Sequence, residues 1–275
     1  PNGTGAVTIV NAAGLILATS TMGGTFSGTA TNGHITQSGD LTITGAATFI
    51  TATTSKNIIL DQNNEFASSV TMKAGTGGSD AFTDITFVDT NGVDLVSSTP
   101  SAGDLFIDAS TDLDVDGALI ITATTGNITQ GSELAVGTTS TFTTSASDGT
   151  ITLNDADNTF TGAVALNTNG SSGNATIKDK AADLQLAASS VGGALIATAT
   201  TGNITQNGAL TITGTSTLVT SADNATITLN DGGNTFTGKL LITTNDNNSP
   251  SDSTYAAHVT IHGGTTDLKI GLSTI

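Results

Sequence analysis

The sequence predicts an all-β protein, a right-handed parallel β-helix (β-solenoid) with about 19 residues per coil. Three observations predict it: a composition rich in strand and turn formers, three copies of one sequence pattern, and short stretches in which apolar and polar residues alternate. Together they favour short strands that stack turn upon turn, with each turn contacting only its neighbours.

The composition is typical of strands joined by frequent turns. Thr, Val and Ile suit half-buried strands, whereas Gly, Asn and Asp suit turns. The chain has no Cys, no Trp, one Tyr and nine Phe among its 275 residues. With so few aromatic residues, a thin core of stacked aliphatic side chains is easier to fill than a broad globular core.

The charge of the chain disfavours several classes of partner. The formal net charge is −17, with six basic residues, all of them Lys, against 23 acidic residues. Nucleic-acid binding needs clusters of Lys and Arg to neutralise phosphates, so we expect no nucleic-acid partner. No apolar run approaches the ~20 residues that cross a bilayer, so we expect no membrane insertion.

Three copies of one pattern organise the chain. TATNGHITQ at residues 29–37 returns as TATTGNITQ at residues 122–130 and again at residues 198–206. The last two copies lie 76 residues apart, which equals four coils of about 19 residues. We therefore expect a single β-helix segment over residues 1–275, with repeat copies at approximately 14–116, 117–192 and 193–275.

Within each copy, apolar residues alternate with polar ones over three to five positions. Examples are Leu134/Val136, Leu210/Ile212, Ile151/Leu153 and Ile227/Leu229. This period of two predicts short strands with one face turned inward. Because Phe66, Phe160 and Phe236 occupy the same place in their copies, we expect them to share one kind of environment in the core.

The third copy carries an additional polar segment, NDNNSPSDSTY, at residues 245–255. We expect it to form a protruding loop, since insertions are tolerated where a coil meets solvent. Carbohydrate-binding surfaces usually present aromatic side chains, and Tyr255 is the only Tyr of the chain. Tyr255 is therefore the candidate ligand contact.

The run GNITQ…LTITGTSTL…ATITLNDGGNTFTG within residues 202–238 resembles the β-strand repeats of filamentous-haemagglutinin-like large exoproteins and giant bacterial adhesins. The resemblance covers nearly the whole chain and is weakest over residues 67–116. It implies secretion through the outer membrane, a shaft-like β-helix and a role in adhesion or matrix formation. Since the sequence opens with Pro1 rather than Met, we expect an internal piece of a longer polypeptide.

Residues 112–117, DLDVDG, match the start of a calcium-binding loop. An EF-hand loop needs a bidentate Glu at its twelfth position, where this chain has Ala123. Two interpretations follow: a plain strand with Leu113 and Val115 inward and its Asp residues in water, or a calcium site of another kind. The candidate calcium ligands are Asp108, Asp112, Asp114 and Asp116. We expect no cofactor other than calcium.

Thr pairs of the form T-x-T also recur, at residues 122–124, 139–141, 159–161, 198–200, 215–217 and 235–237. Some β-solenoids bind ice through flat ranks of such pairs, so ice binding is one hypothesis and ordinary strand formation is the other. The residues between the Thr differ in size, from Ser140 and Ser216 to Phe160 and Phe236. Side chains so different do not fill a core equally, which argues against a single rank.

Catalysis is disfavoured by the residue types available. His258 and His262 lie four apart in a predicted strand, roughly 13 Å from each other and too far to share a metal. Lyases on β-helix folds commonly use Arg or Lys, and the chain has no Arg. Glycoside hydrolysis needs two juxtaposed carboxylates. We expect no enzyme, with a polysaccharide-degrading β-helix as the remaining alternative of this class.

The sequence thus favours a structural role, as a shaft segment of a secreted adhesin or extracellular fibre at the bacterial cell surface. The expected partners are neighbouring repeats of the same long chain, or other copies associated end to end. A host or cell-surface glycan or protein is a further candidate ligand. The alternatives are a self-assembling filament subunit and an ice- or carbohydrate-binding β-solenoid.

Overall fold

A computed structural model describes residues 3–75, 82–95, 104–107, 113–245, 257–265 and 267–275. Within these ranges the secondary structure is entirely β, and no helix is present that could cross a lipid bilayer. The chain divides into two compact units, residues 1–138 (unit 1) and 139–275 (unit 2). In each unit parallel strands stack turn upon turn, which confirms the predicted β-solenoid and is consistent with its right hand.

Unit 1 holds sixteen of the described strands. They are β1 Val7–Asn11, β2 Leu15–Leu17, β3 Ser20–Met22, β4 Phe26–Ala30, β5 Ile35–Gln37, β6 Leu41–Ile43, β7 Ala47–Thr51, β8 Ile58–Phe66, β9 Val70–Ala74, β10 Ile85–Asp89, β11 Val93–Leu95, β12 Asp104–Ile107, β13 Leu113–Val115, β14 Leu119–Ala123, β15 Ile128–Gln130 and β16 Leu134–Val136. Most turns add one strand to each of three rows, but β12 lies between β9 and β11, out of chain order.

Unit 2 holds the other sixteen. They are β17 Ser140–Ser147, β18 Ile151–Leu153, β19 Thr159–Phe160, β20 Val164–Asn169, β21 Ala175–Asp179, β22 Asp183–Leu186, β23 Ser189–Val191, β24 Leu195–Ala199, β25 Asn203–Gln206, β26 Leu210–Ile212, β27 Ser216–Asp223, β28 Ile227–Leu229, β29 Thr235–Phe236, β30 Lys239–Asn245, β31 Val259–Ile261 and β32 Lys269–Ile270.

Three rows of parallel strands build unit 2. Row A consists of β18, β21, β24, β27, β30 and β32; row B of β22, β25, β28 and β31; row C of β17, β20, β23, β26 and β29. In row A the inward positions Ile151, Ala175, Leu195, Ser216 and Leu240 lie in register one above another. One turn therefore takes about 22 residues, rather than the expected 19.

The difference arises because a repeat copy is not a whole number of turns. The sequence ITL occurs at Ile151–Leu153 and again 76 residues later at Ile227–Leu229, yet the first is in row A and the second in row B. Likewise β17 is in row C and its counterpart β27 is in row A. A copy thus comprises three turns and one additional strand, so each copy is advanced by one row.

The core is filled by the alternating positions that the sequence predicts. Strands such as β4, β7, β9 and β10 alternate strictly between buried and half-buried residues. In unit 1 the rings of Phe26, Phe49, Phe66 and Phe87 follow one another with centroids 5.4, 6.1 and 5.5 Å apart. Such contacts each contribute about 0.5–1.5 kcal/mol beyond burial.

The prediction that Phe66, Phe160 and Phe236 share one kind of environment is confirmed for their burial. Each ring is at most 1% exposed, and each follows a buried Asn two residues earlier. Within unit 2, Phe160 in β19 and Phe236 in β29 belong to different sheets, so these two rings do not lie above one another. Equivalent residues of the repeat copies therefore occupy equivalent positions within their own strands, while most residues stacked directly above and below one another are of different types.

The corners between rows C and A depend on glycine. Gly193, Gly214 and Gly238 follow one another on successive turns of unit 2. A Cβ atom on Gly214 would lie 2.6 Å from the carbonyl carbon of Gly193, and one on Gly238 would lie 2.1 Å from the carbonyl oxygen of Gly214. Only a residue without a side chain lets the backbone turns approach this closely.

We predict that Gly214→Ala lowers the free energy of unfolding by about 1–3 kcal/mol, because the added methyl group meets backbone that cannot move aside. Gly232→Ala is the matched control, since no heavy atom lies within 4 Å of the position that its Cβ would occupy. Urea denaturation followed by far-ultraviolet circular dichroism measures both. Equal midpoints for the two variants would contradict the proposed close approach at the corner.

Candidate functional site

The calcium motif is described only in part. Asp108 and Asp112 lie outside the described residues, whereas Asp114 and Asp116 lie at the surface on either side of the buried Val115. Partial burial and the nearby charge of Asp116 raise the pKa of Asp114. Among the described residues no group of three or more His, Asp or Glu is placed to hold a metal. Calcium binding therefore stays a prediction.

The candidate loop at residues 245–255 also falls mostly outside the described residues. Asn245, which ends β30, is described, but Tyr255 is not. The Nδ2 atom of Asn245 donates a hydrogen bond to the carbonyl oxygen of Ser221 at 3.0 Å, which joins β30 to the adjoining turn. Ligand contact by Tyr255 stays a prediction.

The histidines take part in turn structure. The Nδ1 atom of His34 accepts a hydrogen bond from the backbone N–H of Asn57 at 3.0 Å. The Nδ1 atom of His262 accepts one from Gly264 at the same distance. His258 and His262 flank β31 at exposed positions, so the strand predicted between them is confirmed.

The T-x-T pairs are spread over different rows. In unit 2, Thr198 and Thr217 lie in row A, whereas Thr141 and Thr235 lie in row C. Even within row A the pairs are out of line, because Thr198 stands in register with Val219. The pairs therefore form no single flat rank in this unit, as the size of their intervening residues indicated.

A pair of amide side chains, a buried Asn and a half-buried Gln, recurs at one corner of each unit. In unit 2 the side chains of Gln206 and Asn234 exchange two hydrogen bonds of 2.9 Å. The Oδ1 atom of Asn234 also accepts from the backbone N–H of Leu210 at 2.9 Å. Gln37 and Asn64 repeat the exchange in unit 1, at 2.8 and 3.0 Å. These repeated amides satisfy backbone groups at the corner, where strands end.

Unit 1 buries a carboxylic acid one turn beyond this amide pair. Asp89 stands in register with Asn64, is fully buried, and accepts a 3.2 Å hydrogen bond from the backbone N–H of Phe66 through Oδ1. Its Oδ2 atom has no hydrogen-bond partner among the described residues. Burial raises the pKa of Asp89 to about 6, although backbone donors at Phe66, Asn91 and Thr90 oppose the shift.

Asp179 is the corresponding buried acid of unit 2. Its Oδ1 atom accepts hydrogen bonds of 3.0 Å from the backbone N–H groups of Phe160 and Ala181. Burial raises its pKa, backbone donors at Phe160, Ala181 and Lys180 oppose this, and the charge of Asp183 adds to the rise. The side chain thus takes the place of a backbone acceptor in the turn-to-turn ladder.

A groove opens at the surface of unit 2 beside Asp179. The N–H of Phe160 bonds to Asp179, and the carbonyl of Asn158 accepts from Lys180 at 2.7 Å, so β19 bonds to the turn before β22 rather than to β22 itself. In the described ladder β22 pairs with β20 and β25. The resulting groove, which we call the unit 2 groove, has a volume of about 510 Å³.

Polar side chains of three successive turns line the unit 2 groove. The lining residues are Thr159, Thr161, Ala181, Ala182, Asp183, Gln185 and Thr205. Asp183 is its one carboxylate, so the lining does not supply the two acids that glycoside hydrolysis uses. What the groove offers chemically is an array of hydroxyl, amide and carboxylate hydrogen-bonding groups with methyl groups between them.

The next turn holds two of these side chains in place. The backbone N–H and the Nδ2 atom of Asn203 donate to Oδ1 of Asp183 at 2.8 and 2.7 Å. The Nδ2 atom of Asn207 donates to Oε1 of Gln185 at 3.2 Å. This site could not be predicted from the sequence, because Asp183 is one of 23 acidic residues and only the correct turn length brings Asn203 beside it.

Comparison with known proteins gives one family match. A family model described as repeats of unknown function matches residues 4–73, 83–167 and 172–243, which together make up most of the chain. No curated protein and no solved structure matches. The residues that line the unit 2 groove fall within the second and third matched stretches.

The buried acid of unit 1 predicts a pH dependence of stability. Because the pKa of folded Asp89 is about 6 against 3.8 for the unperturbed group, protonation of this carboxyl favours the folded state. This contribution to the free energy of unfolding is fully present below pH 3.8 and is lost as the pH rises through 6. We expect Asp89→Asn to remove this loss, so that wild type loses about 2 kcal/mol of stability relative to the variant between pH 4 and pH 7. Urea unfolding at several pH values measures the difference.

Asp61→Asn is the control for this experiment, since Asp61 is an exposed acid of the same unit. It removes one negative charge without relieving the burial of a carboxylate. Parallel stability profiles of wild type and Asp89→Asn over this pH range would contradict the assignment of Asp89 as a buried acid.

Proposed function

Since this chain belongs to the DUF5649 family of repeats of unknown function, we propose a function for it from its geometry: a structural shaft segment of a large secreted adhesin at the bacterial cell surface. The observation that carries the proposal is the continuous parallel pairing of strands in two of the three rows of unit 2. In rows A and C of unit 2, strand after strand pairs in parallel with the next turn.

Stacking of this kind suits a load-bearing segment. Each turn buries its inward side chains against the turns before and after it, so stability grows with the number of turns. Backbone hydrogen bonds between turns resist separation along the stacking direction, and each contributes about 0.5–1.5 kcal/mol net. A segment that serves as a spacer needs this cooperativity, and it needs no cofactor.

Composition supports an extracellular location. The net charge of −17 favours solubility outside the cell, and the absence of Cys makes folding independent of disulfide chemistry. The resemblance of the repeats to those of large exoproteins points to the same compartment. Localisation at the bacterial surface is therefore part of the proposal.

Open strand edges support the proposed partners. Ile9 of β1 stands in register with the buried Gly28, yet it is 37% exposed; Ile270 of β32 stands in register with the buried Leu240, yet it is 56% exposed. Exposed edges of this kind pair readily with further strands. We propose that they receive another turn, from the same polypeptide or from a second copy of the chain.

The test uses the full-length surface protein, displayed on cells, with residues 1–275 deleted or replaced by an unrelated β-solenoid of the same number of turns. We expect deletion to shorten the reach of the protein, measured by atomic force microscopy, and to weaken adhesion under flow. The unrelated solenoid should restore the reach, because a shaft contributes length.

Two outcomes would overturn this proposal. If deletion of residues 1–275 leaves the reach of the protein unchanged, the segment does not act as a spacer. If antibodies against the segment label cells only after permeabilisation, the proposed location is wrong. Ordered filaments of the isolated chain in electron micrographs would instead support a self-assembling subunit.

A further inference from the structure

We propose that the unit 2 groove binds an uncharged oligosaccharide, a property that goes beyond the structural role proposed above and does not depend on it. The groove combines three properties that together favour this ligand: a cleft between two turns, a dense set of hydrogen-bonding groups held in fixed positions, and a charge pattern that rejects anions.

The cleft results from an interruption in the stacking of turns. Asp179 takes the N–H of Phe160, and β22 pairs with β20 and β25, so Thr159 and Thr161 stand apart from Gln185 of the next turn. Ala181 and Ala182 also line the groove, and their small side chains leave room for a ligand. A concave site with both methyl groups and a few directed polar groups is typical of small-ligand binding.

The polar groups match those of a sugar ring. The hydroxyl groups of Thr159, Thr161 and Thr205 each donate and accept, the amide of Gln185 donates through Nε2, and the carboxylate of Asp183 accepts. A hydroxyl group that donates to a carboxylate forms a charge-assisted bond, stronger than a bond between neutral groups. The methyl groups of Thr and Ala can contact the C–H faces of the ring.

The site is held ready before a ligand arrives. Asn203 donates twice to Oδ1 of Asp183, while its own Oδ1 accepts from the backbone N–H and the hydroxyl of Thr226, at 2.7 and 3.0 Å. Asn207 fixes the amide of Gln185. Because these side chains need little ordering on binding, more of the interaction energy is available as affinity.

Charge selects among polar ligands. Asp183 is the one charged residue that lines the groove, and the neighbouring Lys180 is paired with Asp157 at 2.6 Å. With a net charge of −17, the chain repels sulfated, phosphorylated and uronic-acid sugars. A ligand without charge avoids this repulsion, while its hydroxyl groups still bond to Asp183.

The experiment probes the intact 275-residue chain with an array of neutral oligosaccharides of glucose, mannose, galactose and N-acetylglucosamine. The best ligand is then titrated by ¹⁵N nuclear magnetic resonance. We expect the largest shift changes at the amides of Thr161, Ala182, Asp183 and Gln185. Failure to bind any neutral glycan, or shift changes confined to other residues, would overturn the proposal.

Two variants test the assigned contacts. Asp183→Asn keeps the size of the side chain and removes the charged acceptor, and Ala182→Trp fills the groove; we expect each to weaken binding at least tenfold. Asp231→Asn is the matched control and should bind as wild type does, because Asp231 lies in another turn and does not line the groove.

Circular dichroism verifies that each variant folds, and Gln185→Ala replaces Ala182→Trp if the large side chain disrupts the turn. Unchanged affinity in both Asp183→Asn and the second variant overturns the assignment. An oligolysine peptide serves as the competing probe. Tighter binding of this cation than of every neutral glycan, lost in Asp183→Asn, would show that the groove recognises charge and would also overturn the proposal.

Discussion

The register of the parallel ladder between successive turns is the constraint on which the rest of this structure depends. Once Ile151 is paired with Ala175, and Ala175 with Leu195, every inward side chain must pack against the one in the turn above it. The backbone at each corner must then turn within the same distance from the neighbouring turn. This explains why corners carry glycine, where backbone of one turn touches backbone of the next. It also explains why polar residues can be buried there, because ladders end at corners and leave N–H groups that need acceptors.

Buried Asp and Asn side chains both accept hydrogen bonds from backbone N–H groups at these corners, but they differ in how fully their own polar atoms are satisfied. The amide of Asn234 both donates and accepts, so it satisfies groups on both sides. The carboxylate of Asp179 only accepts, and one of its oxygen atoms lacks a partner among the described residues. Beside Asp179 the N–H of Phe160 bonds to the carboxylate, while β22 pairs with β20 and β25. The groove that we propose as a binding site lies beside this buried acid.

Structural and binding roles are compatible in such a protein. A stack of turns tolerates a local opening, since the loss of a few ladder bonds at one position leaves the turns above and below in contact. The groove lies outside the core, and the residues that hold Asp183 and Gln185 in place, Asn203 and Asn207, belong to a turn that is otherwise regular. A shaft can thus acquire recognition at a single turn without a change of fold.

The sequence by itself determined the strands, the inward positions and the parallel solenoid, because alternation of apolar residues and punctuation by Gly, Asn and Asp are local signals. Burial of Phe160 and Phe236 followed from the same signals. Only the tertiary structure decided the turn length, since 76 residues divide equally well into four turns of 19 or into three longer turns and one more strand. Partners across turns depend on that choice, so the pairing of Asp183 with Asn203, and of Asp179 with Phe160, could not be read from the chain.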